Sequence, residues 1–183
     1  MIRFLKDATD NDKLINSIIA EEWEMLVQVQ QAQGTPMGDE RSFYVKRFGW
    51  LSGFSEDTLQ SYLSDLRVSK NANINMVALK YAYMMQKTDY AYFDDNLRKN
   101  VPAISDAKKA LVEATVAKLL EYKKAAPAAD DLLTAEGIKM PSYEAYILGE
   151  LETYTEPTLK LIKRDVEADA GILAKMKAAE ASI

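Results

Sequence analysis

The sequence contains no cysteine and no histidine. Without cysteine there is no disulfide, no thiol nucleophile and no thiolate metal site. Without histidine the commonest general base and the commonest transition-metal ligand are missing. A Ser-His-Asp triad, an HExxH zinc site and a Glu-x-x-His di-iron site are therefore excluded, and any chemistry falls to carboxylates, Lys, Arg, Tyr or a hard cation such as Mg²⁺. Glycine (7) and proline (5) are scarce in 183 residues, which argues against a chain of short strands and tight turns. No apolar run approaches the length of a membrane span. The start, Met1-Ile2-Arg3-Phe4-Leu5-Lys6-Asp7, reaches an acid too early for a signal peptide, so the expected location is cytoplasmic and no membrane partner is expected. A basic face is also lacking. The net charge is −5, and the densest basic run, Lys160-Leu161-Ile162-Lys163-Arg164, is flanked by acids, so no nucleic-acid partner is expected.

What remains is a globular balance of 48% hydrophobic and 28% charged residues, with Ala, Leu, Glu and Lys dominating long segments, as helices prefer. The expected fold is all-α. Asp10 caps a first helix over about 11–31, with Leu14, Ile15, Ile18, Ile19, Met25, Leu26 and Val29 at three- and four-residue steps. Gly34 to Gly38 break it. A second helix covers about 39–52 and ends at Gly53. Ser55 caps a third, to about Asn71, with Glu56 and Asp57 in its first turn and Phe54 at hydrophobic-staple spacing from Leu59. A fourth, about 73–87, is apolar nearly all round and so central. Asp89 to Pro102 reads as an irregular connector. Ser105 starts a long helix to about Lys124, stopped by Ala125-Ala126-Pro127, and a loop follows to Pro141. Two more helices are expected, Ser142 to Thr153 and Thr155 to near the end.

A shift of one hundred, without gaps, aligns 41–66 with 141–166. Seven pairs are identical, Ser42/Ser142, Gly49/Gly149, Leu51/Leu151, Glu56/Glu156, Thr58/Thr158, Leu59/Leu159 and Asp65/Asp165. Phe43/Tyr143, Phe54/Tyr154, Ser55/Thr155 and Leu66/Val166 are close replacements. The long first helices also align, Leu14-Ile15 with Leu111-Val112 and Ile19-Ala20 with Val116-Ala117. The expected architecture is one compact domain over 1–183, a helical bundle of two pseudo-repeats (about 11–87 and 105–183) joined by a connector over about 88–104, packed about a pseudo-two-fold axis. The alternative is two similar amphipathic hairpins that arose by chance.

A few residues break the helical stripes. At about 100° per residue, Glu22 falls in the middle of the apolar face of the first helix, whereas Glu24 lies well off it and Glu21 at its edge. Arg47 falls between Phe43, Trp50, Leu51 and Phe54. A lone buried charge is expensive and a paired one tolerated, so Glu22 and Arg47 are expected to pair. The second repeat has Leu119 and Ile147 at these positions, so both charges vanish together. The pair either fixes packing or forms part of a cavity in which Arg47 holds an anionic ligand. Glu150 sits among Tyr143, Tyr146, Ile147 and Tyr154, either as a hydrogen-bonded core group or as a pocket residue with a raised pKa. Lys80 flanks the stripe of the fourth helix and reads as a snorkelling edge lysine. Met25, Met76, Met84 and Met85, with Trp23 and Trp50, read as core packing. Glu21-x-x-Glu24 resembles half of the helical nucleotide-pyrophosphohydrolase signature, in which paired acids hold Mg²⁺. The second half is missing, and Asp94-Asp95 and Asp130-Asp131 read as solvated loop acids, so no metal site is assigned.

Four runs in order carry a family resemblance: Ile18-Ile19 followed by Glu22-Trp23-Glu24-Met25; Leu59-x-x-Tyr62-Leu63-x-Asp65-Leu66; Lys80-Tyr81-Ala82-Tyr83-Met84-Met85; and Tyr143-Glu144-x-Tyr146-x-x-Gly149-Glu150-Leu151-x-Thr153-Tyr154. From about Leu14 to Leu161 the chain resembles a bacterial domain of unknown function, the one with serial number 4125. The resemblance implies a helical protein of anaerobe-rich bacterial lineages and implies no activity. Glu22 and Arg47 match its pattern. A Cys-Gln pair frequent in the turn after the first helix of such sequences is replaced here by Pro36-Met37.

The leading functional expectation is a non-catalytic module that binds a small anionic ligand or a partner helix in a groove between the repeats. Its candidate residues are Glu22, Arg47, Glu150, Tyr143, Tyr146 and Lys80. The alternatives are a carboxylate or Mg-dependent hydrolase acting on a phosphorylated or nucleotide substrate, and a purely structural homo-oligomer such as a homodimer, marked by an exposed apolar patch. Cofactors, and any catalytic residues, are left unassigned.

Overall fold

The structure is a computed structural model that describes residues 9–36, 38–125 and 142–183. The expectations at Met37, at Pro127, at Asp130-Asp131 and for the loop to Pro141 lie outside the described residues. The described residues form an all-α bundle, with no strand among them. Its helices are α1 (Asp10–Gln33), α2 (Glu40–Leu51), α3 (Glu56–Asn71), α4 (Met76–Thr88), the single turn α5 (Tyr90–Tyr92), α6 (Asp106–Ala125), α7 (Tyr143–Thr153), α8 (Glu156–Ala168) and α9 (Ile172–Ala181). The connector is helical where an irregular segment was expected. After α5 it continues as a π-helical turn, Phe93–Leu97, and a 3₁₀ turn, Arg98–Asn100. Phe93 anchors it in the core, only 3% exposed.

Local chemistry fixes the boundaries. The cap of α1 is Thr9, not Asp10. Thr9 Oγ1 accepts from Asp12 N at 3.1 Å and Asp12 Oδ2 accepts from Thr9 N at 2.8 Å, a reciprocal capping box. Asp10 is already in the first turn and binds Lys13 at 2.7 Å. Asp39 caps α2 and Asn75 caps α4. The expected last helix is two. The chain breaks after Ala168, where Asp169 Oδ1 accepts from Gly171 N at 2.8 Å and Asp169 O from Ile172 N at 3.1 Å, a local turn that competes with helix continuation.

The core runs through the whole bundle. Ile18, Ile19, Leu66, Leu119, Leu151, Leu159, Val166 and Ile172 are fully sealed, each such side chain contributing roughly 1.5–3 kcal/mol of transfer free energy. Helix α1 packs on α3, α2 and α4, and α6 packs on α8, α7 and α9. Across the middle, α3 lies on α8, α4 on α7, and α2 on α9.

Where α3 meets α8 the contacts are reciprocal. Ser55 N, Ser55 Oγ and Thr58 Oγ1 donate to Asp165 Oδ2 at 2.9, 2.7 and 2.6 Å. Thr155 Oγ1 and Thr158 Oγ1 donate to Asp65 Oδ2 at 2.8 and 2.6 Å. Ser55 and Thr155 occupy the N-cap positions of their helices, yet neither side chain caps its own helix. Each turns instead to the acid of the other.

Two glycines allow close helix approaches. A Cβ on Gly149 would lie 2.4 Å from Met84 Cγ and 3.0 Å from the Lys80 carbonyl oxygen. A Cβ on Gly49 would lie 3.0 Å from both Glu180 Cβ and the Met176 carbonyl oxygen. Backbone cannot yield as a flexible side chain can. Gly149→Ala is therefore expected to lower stability by about 1–3 kcal/mol, measured as a lower urea midpoint at unchanged m-value.

Candidate functional site

The stripe-breaking residues converge. Glu22 from α1 and Arg47 from α2 form a two-point ion pair, with Arg47 Nε donating to Glu22 Oε2 at 2.8 Å and Nη2 to Oε1 at 2.6 Å. Arg47 Nη2 also donates to Glu150 Oε1 of α7 at 2.8 Å. The other Glu150 oxygen lies 3.1 Å from Lys80 Nζ of α4. Two cations and two carboxylates thus alternate across four helices. Burial explains why they must pair: Arg47 and Glu150 are each 2% exposed and Glu22 is 3%, and an unpaired charge at that depth costs several kcal/mol.

Phenols and an indole complete the cluster. Tyr62 OH donates to Glu22 Oε1 at 2.6 Å and Tyr154 OH to Glu150 Oε1 at 2.5 Å. Trp50 Nε1 donates to Tyr154 OH at 3.1 Å. Lys80 Nζ donates to Tyr146 OH at 2.9 Å and stands 4.6 Å from the centre of its ring. Charge-assisted bonds of this kind are roughly twice as strong as neutral ones.

The electrostatics follow. Burial alone would raise the Glu150 carboxyl, but Arg47, Lys80 and the Tyr154 hydroxyl outweigh it and hold the group down at about 2. Burial pulls Arg47 down, and Glu150 with Glu22 more than reverse this, so its guanidinium is locked in the charged form. Burial keeps the Tyr62 and Tyr154 phenols far above their ordinary range, so they are permanent donors.

Of the six expected site residues, Glu22, Arg47, Lys80, Tyr146 and Glu150 meet in this centre. Two expectations change. Lys80 is no edge lysine; it is 7% exposed, because α4 is covered on the side where an edge was expected. Of the two readings of Glu150, the pocket residue with a raised pKa gives way: its pKa is lowered, because two cations face it. Tyr143 lies apart, half-buried, with Lys123 Nζ 4.0 Å from its ring centre. Trp50 was read as packing, Tyr154 was placed beside Glu150, and Tyr62 was given no role, although a buried phenol or indole needs a hydrogen-bond partner and so signals a polar neighbour.

The acids considered for Mg²⁺ are engaged elsewhere. Glu21 Oε2 and Glu24 Oε2 lie 2.8 and 2.6 Å from Lys70 Nζ at the surface. Among the described residues, no group of three or more acids is positioned to hold a metal ion. Glu152 escaped the sequence reading. It is buried, its Oε2 has no hydrogen-bond partner, Lys87 Nζ is 3.6 Å from Oε1, and burial pushes its pKa up.

Fold and centre together define a class, an all-α bundle closed around a charge-balanced ionic core. No described helix is long and apolar enough to cross a membrane. A family model described as a protein of unknown function (DUF4125) matches residues 12–177, and the chain belongs to that family. No curated protein and no solved structure matches it.

Proposed function

We propose that this protein is a non-catalytic interaction module that acts through its surface on a partner protein. The observation that supports this is the mutual charge pairing of its ionic core, although Glu150 Oε2 makes no hydrogen bond. Both Glu22 oxygens are held by Arg47, and the Glu150 oxygens face Arg47 and Lys80. A small anion at Arg47 would have to displace a carboxylate already bound there, so the centre serves packing and the surface is left to carry function. The connector offers the means. Tyr90 and Tyr92 are 55% and 46% exposed, and tyrosine is a favoured residue of protein interfaces.

Thermal-shift titration against small carboxylates, phosphates and nucleotides is expected to leave Tm unchanged. A saturable rise with any one of them would replace this reading by small-ligand binding. Cross-linking in cells is expected to join the wild-type chain to a specific protein, and Tyr90→Ser/Tyr92→Ser to abolish that product with Tm unaltered. An undiminished product in that variant would remove the connector from the interface.

A further inference from the structure

The interfaces α4 on α7 and α2 on α9 share a register. Gly149 of α7 meets Lys80 and Met84 of α4, and Gly49 of α2 meets Met176 and Glu180 of α9. The glycines are 100 residues apart, and their contacts are both shifted by 96, from Lys80 to Met176 and from Met84 to Glu180. A helix pairing of one shape thus occurs twice. In each case the fourth helix of one half lies on the second helix of the other half. The glycine register alone does not distinguish α4 on α7 from α4 on α2, or α9 on α2 from α9 on α7.

Charge distinguishes the seats. Glu150 of α7 faces Lys80 of α4 at 3.1 Å, and the position matching Glu150 on α2 is Trp50. Lys46 of α2 pairs with Glu180 of α9, and the position matching Lys46 on α7 is Tyr146. Were α4 to sit on α2, Lys80 would face Trp50 without a carboxylate, and Lys46 would be left against Met84. Were α9 to sit on α7, Glu180 would meet Tyr146 and Glu150 would face Met176 without its lysine. Both wrong pairings strand buried charge, which disfavours them far more than the right pairing gains.

We propose that residues 11–87 and 105–183 are two copies of one four-helix unit with exchanged fourth helices, and that Lys80–Glu150 and Lys46–Glu180 form a charge code that enforces the exchange. The remaining positions of the second copy support this division of labour. Glu22, Arg47, Tyr62 and Lys80 correspond there to Leu119, Ile147, Ile162 and Met176, all buried. The same packing is thus built without charge, so the charges specify partners and are not required for the fold to close.

The test uses the two tryptophans, one of which, Trp50, lies on α2. In ¹H–¹⁵N spectra the wild type is expected to give one indole signal for Trp50. The variant K46M/K80M/E150Q/E180Q, neutral at both interfaces, is expected to fold and to split that signal, with exchanged dimers appearing in light scattering. In the K80M/E150Q background, K46E is expected to split it as well, and K46E/E180K to restore a single signal. A single Trp50 signal in a monomeric neutral variant would overturn the proposal. So would an unfolded neutral variant, since the charges would then be needed for closure, and so would failure of the reversed pair to restore one signal.

Discussion

Arg47→Met is expected to lower stability by about 3–5 kcal/mol, the range for breaking a buried ion pair from one side. The substitution keeps most of the side-chain volume and removes the cation between two carboxylates. Glu22 is then buried with a phenol for company, and Glu150 keeps only the charge of Lys80. The informative comparison is the triple variant E22L/R47M/Y62F. It removes one charge of each sign together with the hydroxyl that would lose its acceptor, leaving Lys80–Glu150 balanced. Apolar replacement of a complete buried pair is often neutral or stabilising, so the triple variant should recover most of the loss. Urea denaturation of the two variants and the wild type decides it. A triple variant as unstable as the single one would mean that charge burial is not the origin of the defect.

Acid should reveal the same centre. The Glu150 carboxyl titrates near 4.5 when unfolded and at about 2 in the fold. A depressed carboxylate contributes stability that is fully present above the unfolded value and is lost as pH falls through the folded one. The loss is therefore expected between about pH 5 and pH 2, on the order of 3 kcal/mol. Glu152 works in the opposite sense. Its pKa is raised by burial, so protonation relieves the fold as pH falls and offsets part of the loss. Denaturation midpoints measured across this window should fall steeply for the wild type, less steeply for Glu150→Gln, which starts lower, and more steeply for Glu152→Gln. A Glu150→Gln variant with the full wild-type slope would assign acid unfolding to other carboxylates.

Much of this was legible in the residues, for reasons that can be named. Glu22 and Arg47 interrupt apolar stripes at helical spacing, and the joint loss of charge at Leu119 and Ile147 pointed to their pairing. Glu150 was placed inward by the same spacing. Its cations were not foreseeable, because Arg47 and Lys80 lie 103 and 70 residues away and reach it only through the packing of α2 and α4 on α7. Lys80 was misjudged because a helix apolar nearly all round has no edge to snorkel from. The final break between α8 and α9 carried a signal in Asp169-Ala170-Gly171, overridden by the helix formers on either side. Asp65 and Asp165 stood out as identical acids at the same offset, but a single strand of sequence does not say that each would reach the start of the other's helix.

That crossing of acids has a consequence for how the protein is made. During synthesis α3 emerges while the residue that holds its first turn, Asp165, is still a hundred positions from being added. Helix α4 likewise waits for Gly149 and Glu150, and α2 waits for Lys46's partner at Glu180. The first half of the nascent chain therefore leaves the ribosome before the acids that face Lys46 and Lys80 are made, and with the faces of α2, α3 and α4 that meet the second half still wet. Folding is postponed until α9 has emerged, and a chain truncated before α9 should be degraded rather than accumulate as a half-sized domain.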